Sequence, residues 1–174
     1  MKLKILSVIA SMAILVSCGP SYRVTDGSTV TTLEVPSGIQ TSFVTQYPNA
    51  TSVVWTSYDE AMLPIDWELT GWPAMDPGDY LVRFDMNNEK YYAWYDSNGD
   101  WVGTAYVITD YKTLPDAVSN TLNTQFNGYT ITAVNKEFQK DRMAYEIQLK
   151  NGDSKVKLLV DSNGNIIKQK TKTQ

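Results

Sequence analysis

The tetrapeptide Asp-Ser-Asn-Gly occurs twice in this chain, at Asp96–Gly99 and at Asp161–Gly164, and the likeness extends well beyond it. At the same interval of 65 residues, Tyr80 falls on Tyr145, Val82 on Ile147, Phe84 on Leu149 and Lys90 on Lys155, while Trp101-Val102 falls on Ile166-Ile167. Upstream the interval widens to 79, where Pro36, Ile39, Phe43 and Tyr47 meet Pro115, Val118, Leu122 and Phe126. The difference of 14 residues places an insertion in the first copy, between Trp55 and Tyr80. An internal duplication restricts the architecture to two copies of one small module.

The module reads as a helix followed by a meander. Proline suits the opening turn of a helix, where its missing N–H costs nothing. After Pro36, an apolar residue every fourth position (Ile39, Phe43, Tyr47) makes one stripe, and Pro48-Asn49 stops it. Pro115, the stripe Val118, Leu122, Phe126 and the stop Asn127-Gly128 do the same in the second copy. Helices this short do not hold alone in water and must lie on a sheet. Tyr145, Ile147 and Leu149 alternate with Glu146, Gln148 and Lys150, the period-two pattern of a strand with one wet face. Asn151-Gly152-Asp153 turns the chain into Val156, Leu158 and Val160, and Asp161–Gly164 turns it again into Ile166-Ile167, with an earlier strand over Thr130–Phe138. The first copy gives strands at Thr51–Thr56, Tyr80–Asp85, Tyr91–Asp96 and Trp101–Ile108. The insertion, about 57–79, holds three prolines and reads as a long structured loop with an extra strand at Asp66–Thr70. The expected fold class is α+β: two helix-plus-antiparallel-meander repeats forming one curved sheet, both helices on one face.

The N-terminus reads as an address label. Lys2 and Lys4 precede an apolar run from Ile5 to Val16, shorter than the ~20 residues that span a bilayer, and Leu15-Val16-Ser17 leads into Cys18. This pattern resembles the lipobox of bacterial lipoproteins, which implies lipidation at Cys18; the alternative is an ordinary secretory signal with an incidental cysteine. The expected organisation is therefore a signal peptide over 1–17, a Ser/Thr/Gly/Pro-rich flexible tether over 18–33, repeat 1 over 34–111 and repeat 2 over 112–172. Lipidation uses the only cysteine, leaving no thiol for a disulfide, a metal or a nucleophile. Loss of Lys2 and Lys4 takes the formal charge from −4 to −6, an acidity that disfavours nucleic acid. Membrane attachment is expected through the lipid alone.

The run Leu114-Pro115, Val118, Leu122, Phe126, Ala133-Val134, Tyr145-Glu146-Ile147 and Val160–Ile166 resembles the PepSY-like repeat of secreted and lipid-anchored proteins of Bacteroidota. Val35-Pro36, Phe43, Tyr47–Ala50, Val54-Trp55 and Asp96–Trp101 match it again, so the resemblance covers roughly residues 34–170. It implies a fold similar to beta-lactamase inhibitory protein, a tandem repeat whose concave sheet binds an enzyme, and it transfers no site residue. Gly19-Pro20-Ser21 lacks the acidic residues that, by the same resemblance, accompany surface export; the expected location is the periplasm-facing side of the outer membrane.

Catalysis is disfavoured. The chain has no histidine, the commonest general base and metal ligand, and no Gly-x-Ser-x-Gly elbow or phosphate-cradling glycine pattern. No catalytic residue, cofactor or metal site is assigned. Asp96, Asn98 and Asp100 imitate the start of a calcium loop, but Trp101 stands where glycine is needed and Val107 where a bidentate glutamate is needed; a strand–turn–strand connection explains the segment. Aromatic residues are the remaining clue. The outward positions that hold Lys157, Leu159, Glu146 and Gln148 in the second copy hold Tyr92, Trp94, Leu81 and Arg83 in the first, with Trp67 and Trp72 in the insertion. Tyr, Trp and Arg dominate binding hot spots. Two readings stay open: a recognition surface for a protein or envelope glycan, formed by Tyr92, Trp94, Arg83, Leu81, Trp67 and Trp72, or a second small core covered by the insertion, since open aromatic patches are uncommon on monomers. The leading functional expectation is a non-enzymatic, lipid-anchored envelope binding domain. Inhibition of a secreted hydrolase and carboxylate-dependent action on a glycan are the alternatives, and neither partner identity nor oligomeric state follows from the sequence.

Overall fold

In the computed structural model, which describes residues 33–173, a single eight-stranded antiparallel sheet runs in strict chain order from β1 to β8. Helix α1 (Ser37–Gln46) precedes β1 (Thr51–Ser57), β2 (Tyr80–Met86), β3 (Glu89–Tyr95) and β4 (Trp101–Val107). Helix α3 (Asp116–Gln125) precedes β5 (Thr130–Gln139), β6 (Arg142–Asn151), β7 (Ser154–Asp161) and β8 (Ile166–Thr173). Mixed helix and antiparallel sheet make this an α+β fold. The signal peptide, Cys18 and nearly all of the tether lie outside the described residues.

Both long helices have ten residues and begin alike, but the prolines stand one position earlier than expected. Pro36 and Pro115 are N-cap residues in extended backbone (φ −53°, ψ 138° and φ −55°, ψ 143°), not members of the first turn. Each helix closes with the same bond, Tyr47 N–H to Phe43 C=O and Phe126 N–H to Leu122 C=O.

Strand register fixes which side chains share a face. Val82 pairs with Ala93, Phe84 with Tyr91, Tyr145 with Val160 and Ile147 with Leu158. These positions form the face that takes both helices. Ile39 and Phe43 of α1 pack on Trp55, Val82, Phe84, Ala93 and Tyr95. Val118 and Leu122 of α3 pack on Val134, Tyr145, Ile147, Leu149, Val156, Leu158 and Val160. Between the helices the rings of Phe84, Tyr91, Tyr106 and Phe138 follow one another at centroid distances of 4.7–6.0 Å, carrying apolar cover across β2 to β5.

The Asp-Ser-Asn-Gly segments are tight turns. Asp96 Oδ1 accepts the N–H groups of Asn98 and Asp100, and Asp161 Oδ1 those of Asn163 and Asn165, all at 2.9 Å. Gly99 (φ +96°) and Gly164 (φ +82°) take the left-handed backbone that reverses the chain. Each turn lies against a helix. A Cβ on Gly164 would stand 2.4 Å from the Ala117 carbonyl of α3, whereas one on Gly99 would meet Ile39 Cγ1 at 3.2 Å.

Candidate functional site

Among the described residues the second face of the sheet carries no long helix; what lies on it is the connection from β1 to β2. Asp66–Thr70, expected as a strand, is instead a single helical turn, α2 (Trp67–Thr70). Asp66 caps it by accepting the Leu69 N–H, and Gly71 ends it in left-handed backbone (φ 64°), so local capping overrides the polar–apolar alternation of the sequence.

This connection crosses the sheet from β2 to β8 in two zones. The first is aromatic. Ile65, Trp72, Leu81, Trp94 and Ala105 form a second core, with Tyr58, Leu63, Trp67, Met75, Tyr92 and Val102 packed around it. The indoles of Trp67, Trp72 and Trp94 meet edge to face at 5.4–5.6 Å. Gly103 makes room, because a Cβ there would stand 2.7–2.8 Å from three atoms of the Trp72 ring. Of the two readings left open by the sequence, the covered core holds for the centre of this patch, and Trp94, Leu81 and Trp72 are not available as a recognition surface. Trp94, Leu81 and Trp72 are 0%, 1% and 5% exposed and serve as core. Trp67 and Tyr92 are half-buried at its edge, and Arg83 alone of the six is exposed.

The second zone is polar and fastens the connection to β5–β8. Asn135 Nδ2 donates to the Pro64 carbonyl (2.9 Å), the Asp66 N–H donates to Glu146 Oε2 (2.6 Å), and Arg142 Nη2 donates to the Thr70 carbonyl (2.5 Å). Asp66 binds Lys157 (3.1 Å) and Lys170 (2.7 Å), Glu68 binds Lys170 (2.5 Å), and Lys168 donates to the Glu68 carbonyl (3.1 Å). Burial pushes the Asp66 carboxyl up, yet the bonds from Lys170 and Lys157 outweigh it and hold the group below its ordinary value. Leu69 drops between Ala144 and Leu159, closing the contact with apolar surface.

Two carboxyls are trapped beneath. Glu146, expected on a wet face, is fully buried, and burial raises its pKa against the partial relief of the Asp66 N–H and Lys157. Glu137, on β5, has no hydrogen-bond partner for either oxygen among the described residues. Burial, then repulsion from Glu146, pushes its carboxyl up to about 8 despite the opposing charge of Arg142. At neutral pH Glu137 therefore holds its proton. It is a neutral member of the seam and is enclosed, a poor position for a group that must reach substrate.

Beyond the connection the sheet is open and basic. A cleft of about 580 Å³ lies beside α2, lined by Asp66, Glu68, Lys155, Lys157, Lys170, Thr171 and Lys172. None of these lysines was assigned to a site from sequence. The signal was present, since lysine recurs at alternate positions 168, 170, 172 and again at 155 and 157, and alternate residues of a strand share a face. Among the described residues no cluster of three or more acidic or cysteine side chains is arranged to hold a metal ion, and no helix is long and apolar enough to cross a membrane.

Residues 78–168 match the model of the family described as "Putative beta-lactamase-inhibitor-like, PepSY-like". Among solved structures, the chain is similar to a BLIP-like protein from Bacteroides fragilis at 19% identity, over 82% of this chain and 89% of that one, with a TM-score of 0.66. It is also similar to a DUF2874 family protein from Bacteroides ovatus (21% identity, 79% and 88% covered, TM-score 0.63). A third such structure, from Bacteroides eggerthii, is described as "putative periplasmic proteins" (19% identity, 80% and 91% covered, TM-score 0.62). No match was found among curated protein sequences. At these identities the structural likeness speaks to fold alone; the family match, which covers just over half of the chain, goes further. The chain belongs to the PepSY-like, beta-lactamase-inhibitor-like family.

Proposed function

We propose that this protein is a non-enzymatic binding domain of the cell envelope, lipid-anchored through Cys18, which recognises a protein partner with the sheet face opposite its two long helices. The observation that carries this reading is the asymmetry of the sheet. One face is consumed by α1 and α3, whereas the other holds a compact connection flanked by accessible side chains, with Arg83, Tyr92 and Trp67 at one end and the lysine-lined cleft at the other. Both ends sit on a rigid sheet, which suits recognition better than a mobile loop.

The domain is read as two copies of one module, 34–111 and 112–172. The recurrent order of one helix and four strands, the matching proline caps and the paired turns at Asp96 and Asp161 support this. A periplasm-facing position is supported by the description of the Bacteroides eggerthii relative. The family description and the BLIP-like relative favour a narrower version of the same function, inhibition of a secreted hydrolase.

A photo-crosslinking amino acid placed in turn at Arg83, Lys155, Val44 and Gln125 tests the proposal, the last two being exposed on α1 and α3. One discrete adduct from envelope extracts is expected at Arg83 or Lys155 and absent at Val44 and Gln125. An adduct of equal yield from the helices overturns the assignment of the face.

A further inference from the structure

The register of β6, β7 and β8 stacks lysines in rows. Lys150 stands opposite Lys155, and Lys155 opposite Lys172, so three lysines occupy neighbouring positions across three strands. The next row is Gln148, Lys157 and Lys170; the one after is Glu146, Leu159 and Lys168. All six lysines project from the face that carries the insertion. Like charges directly opposite one another destabilise a sheet. A surface that keeps such a cost without a local remedy is where function is sought.

The chain supplies its own counter-charges to the lysines of two of the three rows. Asp66 and Glu68 take Lys157 and Lys170, and the Glu68 carbonyl takes Lys168. Lys150, Lys155 and Lys172 are exposed and have no carboxylate within ion-pair distance among the described residues. The insertion thus docks as an acidic peptide on a lysine sheet and stops one row short. The charge of the chain follows the same division. Residues 34–111 carry twelve acidic and two basic side chains, while residues 112–172 carry six acidic and ten basic.

We infer that the row Lys150–Lys155–Lys172, with the adjoining cleft, is the docking site for an acidic segment of a partner protein, whose carboxylates continue the line begun by Asp66 and Glu68. This rests on the binding function proposed above and specifies the chemistry of the partner. Lysine offers a flexible point charge, not a rigid fork, so the site reads carboxylate density more than geometry. Strands in the sheet are ~4.8 Å apart. The row therefore spans ~10 Å, within reach of two acidic residues at alternate positions of an extended peptide.

The test uses the purified full-length protein and a fluorescein-labelled peptide of alternating glutamate and serine, read by anisotropy at low and physiological salt. Binding that weakens with salt is expected, and the triple change Lys150→Glu, Lys155→Glu, Lys172→Glu lowers affinity by at least about tenfold. Lys112→Glu with Lys140→Glu, exposed lysines elsewhere, leaves it within about twofold. The corresponding glutamine triple guards against misfolding: it relieves the repulsion, so its urea midpoint equals or exceeds that of the wild type while peptide affinity still falls. Equal affinity of wild type and both triple variants overturns the inference. So does tighter, equally lysine-dependent binding of polygalacturonate, which assigns the row to an acidic glycan. A wild-type dimer in sedimentation velocity that the triple change dissolves overturns it as well, in favour of a second copy. If any of these occurs while crosslinks still map to Arg83 or Lys155, the binding face stands and only its ligand chemistry is lost.

Discussion

Raising the pH from 5 to 8.5 should weaken this fold, because Glu137 is held as a neutral acid under the insertion. Its carboxyl is 1% exposed, unpartnered, and shifted from an ordinary 4.5 to about 8. An acid whose folded pKa is raised keeps its proton in the native state after the unfolded chain has released it. The contribution of Glu137 to stability is therefore greatest below about 4.5, falls as pH rises, and levels off above about 8. Each pH unit in that window removes up to ~1.4 kcal/mol, which gives a loss of roughly 3 kcal/mol by pH 7 and up to about 5 by pH 8.5. Glu146, also raised by burial, acts in the same direction. Asp66, whose carboxyl is held below its ordinary 3.8, acts oppositely, losing its contribution only as pH falls through that lower value. The assay is urea denaturation followed by tryptophan fluorescence, which the indoles of Trp67, Trp72 and Trp94 make sensitive to the seam. Glu137→Gln removes the titration but leaves amide donors without partners. It should be the less stable protein at pH 5 and the more stable one at pH 8.5, with a shallower pH slope caused by the remaining Glu146. A wild-type midpoint that is flat or rises over this range refutes the reasoning, as does a Glu137→Gln variant with the full wild-type slope.

Three further outcomes follow from the packing. Gly103→Ala drives a methyl into the Trp72 ring and should destabilise by about 2–4 kcal/mol, through overpacking or loss of the indole from its core, seen as a red-shifted emission and faster proteolysis between Ser57 and Tyr80. Asp66→Asn keeps the cap on α2 but removes the charge shared by Lys157 and Lys170; because both lysines are about a third exposed, the loss should be only about 1 kcal/mol and should shrink in 0.5 M salt. Gly164→Ala should cost clearly more than Gly99→Ala in paired thermal melts, since both demand left-handed backbone but only the former thrusts its Cβ at a helix carbonyl; equal losses would mean that the turn strain alone matters.

The helices, the turns and the face of nearly every strand residue were legible because each follows from a local rule. An apolar residue every fourth position defines Ile39–Phe43 and Val118–Leu122, and Asp followed by Gly defines the paired turns. What alternation cannot say is what lies over a face. Alternation places Glu146 and Trp94 on the correct side of the sheet, but it predicts a wet Glu146 and leaves Trp94 open between exposure and cover, because the residues that cover them, Asp66 and Trp67, are 80 and 27 positions away in sequence. Within the insertion only Asp66–Thr70 departs from its reading as a strand, since Asp66-Trp67-Glu68-Leu69 alternates polar and apolar as well as any strand does; only the caps at Asp66 and Gly71 separate the two outcomes. The reach of the insertion then decides which part of the face remains available. The three indoles close the aromatic end, Asp66 opens the helical turn over the row of Lys157 and Lys170, and the chain then runs away from the last row, past Lys168 and Arg142, to end the turn at Gly71. The surface left for recognition is thus set by where one helical turn begins, and Lys150, Lys155 and Lys172 form the next row beyond Asp66.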